Sequence, residues 1–257
     1  MSSPGTEAFK IDEYVLHHVV NSHEWRLPGI TITLPSFISL HALMLIFCAV
    51  LLIVIFCFIY KKEQRVPTGF TNALEALVEY VYKEIAIPIL GKGDALKFSP
   101  LLCTFFFFIL GLNLIGMVPL FATATSNVNV TCALASVTLF LMTVGTIMRN
   151  GISGFFKALT PSGVPILILP GIVFLEFLGI FIKAFALMVR LFANMLAGHM
   201  VILLLLGLLI LYGVYALPSL ILAVAISALE LFVAFLQAYI FTLLSAVFIS
   251  QMHHPEH

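Results

Sequence analysis

Residues 171–211 read GIVFLEFLGIFIKAFALMVRLFANMLAGHMVILLLLGLLIL. No strong helix breaker interrupts them. At ~1.5 Å per residue they form ~60 Å of helix, twice the ~30 Å hydrocarbon core of a bilayer. Such a helix must tilt steeply or bend. A turn follows at residues 213–218, and a second long apolar helix is expected over residues 219–249. The two then fold back on each other as an antiparallel hairpin.

Working outward, residues 36–60 make a first span, stopped by Lys61, Lys62 and Arg65. Residues 99–121 span again, 122–127 turn, and 128–148 return, ending at Arg149. Residues 72–90 differ. Glu75, Glu79, Lys83 and Glu84 interleave with Leu74, Leu77, Val78, Val81 and Ile85, the pattern of an amphipathic helix at an interface. The expected fold class is an all-α polytopic membrane protein. It has about five membrane helices plus one interfacial amphipathic helix, and the last two are long and steeply tilted. Residues 1–35 form an N-terminal extramembrane segment, 36–250 a single membrane domain and 251–257 a polar tail.

Composition agrees. The chain has 257 residues, 62% hydrophobic and only 9% charged, against ~25% charged in soluble domains. Its mean hydropathy is +1.17. That excludes a soluble enzyme, a disordered chain and a nucleic-acid binder. Twelve basic and twelve acidic side chains cancel, so no net field recruits polyanions. Cys48, Cys57, Cys103 and Cys132 lie in apolar runs without CxxC spacing and read as small buried hydrophobes. No phosphate-binding glycine loop occurs; Gly91-Lys92-Gly93-Asp94 lacks the spacing, so no direct nucleotide binding is expected. No cofactor or metal is expected either. His17, His18, His23, His253, His254 and His257 read as scattered solvated histidines, and Asn129-Val130-Thr131 as a chance glycosylation triplet.

Basic residues orient the spans. Residues 61–97 carry Lys61, Lys62, Arg65, Lys83, Lys92 and Lys97, and the next loop on that side carries Arg149 and Lys157. The loops at 122–127 and 211–218 carry no charge. Five spans then put the N-terminus outside and the C-terminus inside.

An ionisable side chain at a helix centre costs ~2.5–3.5 kcal/mol on the mildest scale, so each needs a reason. The last two helices hold five: Glu176, Lys183, Arg190, His199 and Glu230, besides Asn194 and Gln237. Glu176, Lys183 and Arg190 fall seven apart and form one stripe, which Asn194 extends; His199 lies on the opposite face of the helix. Asn113 is expected to make a helix–helix hydrogen bond. Level residues of an antiparallel hairpin have a constant index sum. That places His199 beside Glu230 and Arg190 beside Gln237, each to within one turn. His and Glu can exchange protons near neutrality, whereas Arg stays a fixed positive charge. A fixed charge between an outer site (His199, Glu230) and an inner one (Glu176) blocks a straight proton wire. It would attract a carboxylate on a partner. The competing reading makes Glu176 an ion-pair partner of Lys183, and Lys183 a snorkelling side chain.

The string Met188-Val189-Arg190-Leu191-Phe192-Ala193-Asn194-Met195-Leu196-Ala197-Gly198-His199 resembles the core of subunit a of the F-type ATP synthase. The resemblance extends to Asn113–Pro119, Glu230 and Gln237 and covers most of residues 36–250. It implies an ion-translocating stator with two aqueous half-channels beside the ring of subunit c, held by peripheral stalk subunit b. It carries the essential arginine onto Arg190 and half-channel roles onto Glu176, Asn194, His199, Glu230 and Gln237, with Lys183 a further candidate. The subunit would have no catalytic centre of its own. The ion is H⁺, with Na⁺ the alternative, since the ion site would lie on the ring. The order histidine then acid resembles the mitochondrial arrangement; the length and longer N-terminus favour a bacterial inner membrane, with the mitochondrial inner membrane the alternative. An autonomous transporter or channel is the competing function. It would need a central cavity and related halves with discontinuous helices, which the sequence does not display.

Overall fold

The computed structural model describes residues 24–27, 30–33, 39–59, 69–118, 121, 123–160, 165 and 167–253. The Lys61–Arg65 cluster, His17, His18, His23, His254 and His257 lie outside the described residues. Ahead of the helices, β1 (Glu24–Leu27) and β2 (Ile30–Thr33) pair antiparallel, Glu24 opposite Thr33 and Leu27 opposite Ile30.

Helix α1 (Leu40–Val54) starts at Ser39, whose side chain accepts from the Ala42 N–H at 3.3 Å, and ends in a π-type turn, Ile55–Ile59. A side-chain oxygen there satisfies one of the N–H groups that the first turn leaves unpaired. Its buried face is Leu40, His41, Met44 and Cys48. Helix α2 (Phe70–Tyr80) runs through a π-type turn, Val81–Ala86, into α3 (Ile87–Gly116). The expected amphipathic pattern holds. Leu74, Val81, Ile85 and Leu90 are buried, while Glu75, Glu79, Lys83 and Glu84 are exposed. Lys83 pairs with Glu79 one turn away.

Gly91 sits at φ 73°, ψ 162°, a conformation that side-chain-bearing residues rarely adopt. It breaks the rod, so the amphipathic piece and the apolar helix beyond it point in different directions. The apolar pattern begins at Ser99, but the helix begins just past Gly91. Charge ends the hydrophobic run there, not the hydrogen bonding: Lys97 Nζ reaches buried Asp94 at 3.7 Å across one turn.

A short 3₁₀ turn, Ala124–Ser126, leads into α4 (Val128–Phe140), capped by Asn127, whose side chain accepts from the Asn129 N–H at 2.9 Å. A π-type turn, Leu141–Gly145, continues into α5 (Thr146–Ala158). The last two helices are α6 (Leu169–Tyr212, 44 residues) and α7 (Leu217–His253, 37 residues), joined at Gly213–Ala216. Helix α6 has helical backbone angles throughout, and Gly213 at φ 58° ends it.

Among the described residues, five helical stretches are long and apolar enough to cross a membrane: Leu40–Phe58, Phe70–Gly116, Val128–Met148, Leu169–Leu209 and Gly213–Gln251. The chain is an all-α multi-pass membrane protein with a small hairpin ahead of its first span. Helix α3 is its centre. Leu102, Phe105, Phe106 and Ile109 pack on Leu187 and Leu191 of α6 and on Phe241 and Ala246 of α7, with Phe105 edge-on to Phe241 at 5.5 Å. A second cluster joins Leu40, Met44 and Cys48 of α1 to Leu112 and Ala124. The outer faces of α6 and α7 are uncovered: Phe181, Phe185, Val189, Phe232 and Phe235 are all exposed.

Candidate functional site

The hairpin is in register along its length. Ser219 Oγ donates to the Leu205 carbonyl at 3.2 Å near the turn. His199 then meets Glu230, Asn194 meets Gln237, and Lys183 meets Gln251. These pairs keep a nearly constant index sum, which is the signature of antiparallel neighbours. Small buried residues let the helices approach: Ala184 on α6; Ala223, Ala234 and Ala238 on α7.

His199 Nδ1 lies 2.6 Å from Glu230 Oε1, and His199 Nε2 lies 2.7 Å from the Gly116 carbonyl oxygen. A carbonyl can only accept, so Nε2 carries a hydrogen. At 2.6 Å a proton must also lie between Nδ1 and Oε1, because a ring lone pair facing a carboxylate would repel it. The pair therefore holds one shared proton, as imidazolium with carboxylate or as imidazole with carboxylic acid. Both forms are net neutral, which suits a Glu230 side chain only 4% exposed.

Two glycines make room. A Cβ on Gly198 would fall 2.9 Å from Glu230 Oε1. A Cβ on Gly116 would fall 2.8 Å from Thr123 Cγ2 and 3.2 Å from Thr123 Cα. Thr123 Oγ1 also donates to the Gly116 carbonyl at 3.3 Å, so two donors hold that oxygen.

One turn and a half toward the other end, Asn194 Nδ2 donates to Gln237 Oε1 at 2.8 Å, and the Gln237 amide nitrogen is buried without a partner among the described residues. Gln237 is thus level with Asn194, one turn from Arg190. Arg190 is half-buried, between buried Leu187 and Leu191 and exposed Phe185 and Val189. Among the described residues no carboxylate lies within ion-pair distance of it, whereas Glu176 and Glu230 are both matched within the chain. Glu176 Oε1 lies 3.5 Å from Lys183 Nζ, which also donates to Gln251 Oε1 at 3.1 Å and sits 5.7 Å from the Phe248 ring centroid. Glu176 does form the ion pair with Lys183. Both side chains keep solvent access, Glu176 47% and Lys183 27% exposed. Along α6, Arg190 is ~13 Å of rise from His199 and ~21 Å from Glu176.

The sequence singled out His199, Glu230, Asn194 and Gln237, and the fold brings them together in two level pairs. It placed the turn at 122–127 but missed that Thr123, Thr125 and Ser126 are buried there, and it missed the Gly116 carbonyl. Asn113, expected to bond helix to helix, instead accepts from Thr125 Oγ1 of that turn at 2.9 Å. Nothing in the residue types marks a backbone carbonyl as a ligand of an imidazole two spans further along the chain.

The chain is thus a multi-pass helical membrane protein with a buried histidine–carboxyl pair and, on an uncovered apolar face, an arginine that no carboxylate matches among the described residues. Residues 42–250 match the family described as ATP synthase A chain, and the chain belongs to that family. It is 47% identical over 223 residues to ATP synthase subunit a of Anaeromyxobacter dehalogenans, covering 84% of this chain and 58% of the relative. It is 43% identical over 262 residues to that of Chloroherpeton thalassium (94% and 77% covered), and 44% identical over 250 residues to that of Myxococcus xanthus (93% and 82%). The chain spans somewhat more than half the length of the Anaeromyxobacter relative it matches.

Proposed function

We propose that this chain is the ion-translocating stator subunit of a rotary F-type ATP synthase, working against a ring of subunit c and held by subunit b. One observation carries the reading. Arg190 is a fixed cation on an apolar face, and its own chain offers it no carboxylate among the described residues. Leaving such a charge unmatched in lipid is costly, so its counter-ion belongs to another subunit. An uncovered face of Phe181, Phe185, Val189, Phe232 and Phe235 around it is the surface on which a ring of apolar helices would run.

The outer half-channel leads to His199 and Glu230. A proton entering there adds to the second oxygen of Glu230, giving a doubly protonated pair with net positive charge. The pair returns to its one-proton state by releasing a proton to a rotor carboxylate. That carboxyl, now neutral, can turn into lipid where an ionised one could not. After nearly a full turn it reaches the inner half-channel, near Asn194 and Glu176, and gives up its proton. Arg190 keeps the two routes apart because it holds any arriving carboxylate ionised and cannot itself hand a proton across. Each charge moved supplies ~2.3 kcal/mol per 100 mV. H⁺ is the ion in this reading; Na⁺ would use the same stator. The N-terminus lies outside and the C-terminus inside, in a bacterial inner membrane.

The test is ATP-driven acidification of inverted vesicles carrying the whole complex. Arg190→Ala should lose coupled pumping with assembly intact. Arg190→Lys should fail too, because a lysine can lose its proton. Near wild-type pumping in Arg190→Ala ends the assignment. Proton conduction by the purified chain alone would favour a channel instead.

A further inference from the structure

The hairpin ahead of the first span is patterned for a boundary. Trp25 is paired with Ile32 and Leu27 with Ile30, while Glu24 is paired with Thr33 and Arg26 with Thr31. Successive strand residues alternate between the two faces of a sheet, and directly opposed residues share one. The register therefore puts Trp25, Leu27, Ile30 and Ile32 on one face, and the charged and hydroxyl residues on the other. One face is wholly apolar and the other wholly polar. A strand pair enclosed by protein on both sides would be apolar on both. Trp25 is the single tryptophan of the chain.

Two strands alone are marginally stable in water, so the apolar face needs a cover. Among the described residues no helix packs broadly on either strand. The tether decides what lies within reach. Thr33 is six residues before Ser39, the cap of α1, so the chain between them spans at most ~20 Å. Leu40–Phe58 is 19 residues long and apolar. Its ~28 Å of helix just fills a ~30 Å hydrocarbon core, which sets Ser39 at the edge of that core. A lipid surface is thus always beside the hairpin. Charge fits a lipid cover as well: Glu24 and Arg26 cancel, so the polar face carries no net field to hold it to a charged partner. The open strand edges set the depth. Their unpaired N–H and C=O groups cannot be satisfied in hydrocarbon but can be in the hydrated headgroup layer. Tryptophan favours the same level, where its ring is in apolar surroundings and its N–H is wet.

We propose that the β1–β2 hairpin lies flat in the headgroup layer at the membrane surface where α1 begins, with the Trp25 face against the acyl chains. Lipid is the occupant of that face, held by apolar burial and without a requirement for charged headgroups. Such an anchor fixes the depth and rotation at which α1 enters the bilayer. It is independent of the stator reading and the same for either orientation of the chain.

The purified full-length chain in phosphatidylcholine nanodiscs, which expose both membrane surfaces, gives the first test. With one tryptophan in the chain, its emission reports this face alone. Lipids brominated near the glycerol end of the acyl chains should quench it several-fold more than lipids brominated near the methyl end, and aqueous iodide should quench it weakly. Strong iodide quenching without bromolipid quenching places the face in water and overturns the proposal. Ile32→Lys sets a charge on the same face and should weaken the bromolipid quenching several-fold; unchanged quenching overturns it too. The second test uses the assembled complex, freed of its native reactive thiols and spin-labelled at one introduced cysteine at a time along both strands. Labels on the Trp25 face should collide with dissolved oxygen several-fold more than with a water-soluble nickel chelate, and labels on the Glu24 face the reverse. Exclusion of both reagents from the Trp25 face means that another subunit or a second copy covers it, and overturns the lipid assignment. Equal access on both faces removes the amphipathic hairpin itself.

Discussion

A 2.6 Å contact between an imidazole and a carboxyl makes two residues one proton-holding unit. Removing either partner leaves the other buried and unmatched, which costs about 1–3 kcal/mol even for a neutral group. His199→Ala and Glu230→Ala should therefore each slow pumping at least tenfold, and a double-mutant cycle on ATP-driven pumping should be strongly non-additive. Additive losses would mean two independent groups. Exchanging the residues restores a carboxyl–imidazole pair but leaves a carboxyl facing the Gly116 carbonyl, so it should recover only part of the rate. The two glycines separate packing from chemistry. Gly198→Ala meets the tip of the Glu230 side chain, so it should impair pumping with little loss of stability. Gly116→Ala meets the Thr123 backbone, so it should cost about 1–3 kcal/mol and lower the yield of assembled complex. Thermal unfolding of the two purified complexes, beside their pumping rates, checks that order.

At the scale of elements, what the sequence disclosed depended on the kind of force at work. Hydrophobic runs placed α1, α4, α6 and α7, because burial in lipid is written in residue type. Alternating Glu75, Glu79 and Glu84 with Leu74, Val81 and Ile85 placed the amphipathic stretch for the same reason. One helix start was misplaced where charge stopped the apolar pattern but not the helix, at Asp94 and Lys97, whereas the span over residues 128–148 ends where expected and Gly151 at φ 73° breaks the rod just beyond it. The index-sum pairing of His199 with Glu230 succeeded because two antiparallel helices leave a single register once their turn is known. The Gly116 carbonyl contact and the burial of the 122–127 turn were illegible. They depend on how α3 docks against a hairpin much later in the chain, and a backbone oxygen has no sequence signal. Gly91 is testable at this scale. Its φ of 73° disfavours any side chain, so Gly91→Ala should cost about 1–2 kcal/mol through strain, with open space around the added methyl. A drop in thermal stability without loss of the pumping rate per assembled complex is the expected result; a rate loss at full stability would make the Gly91 bend part of the mechanism.

At the scale of the whole molecule the decisive mismatch is between helix length and membrane thickness. Helix α6 has 44 residues with unbroken helical angles, so it is ~66 Å long. A bilayer offers ~30 Å of hydrocarbon and ~40–45 Å with its headgroups. Standing upright, α6 would push apolar residues such as Leu204, Leu208 and Leu211 or Phe174 and Phe177 out of the hydrocarbon core, and all five are exposed on the chain itself. At ~25 cal/mol per Å² of apolar surface, that outcome loses to lying down. The helix therefore has to lie at least ~45° from the membrane normal for its length to fit within the full bilayer. Helix α7, antiparallel and paired from Ser219 to Gln251, must follow it. Tilt has a functional consequence. A steep helix separates Glu176, Arg190 and His199 laterally as well as in depth, by ~24 Å each way between Glu176 and His199 at 45°, so a carboxyl circling on a ring would meet the two half-channels at different angles. Imaging the complex in a lipid nanodisc measures the angle directly. A tilt of α6 below ~30° would leave its apolar ends unexplained and remove the lateral offset on which two separate half-channels depend.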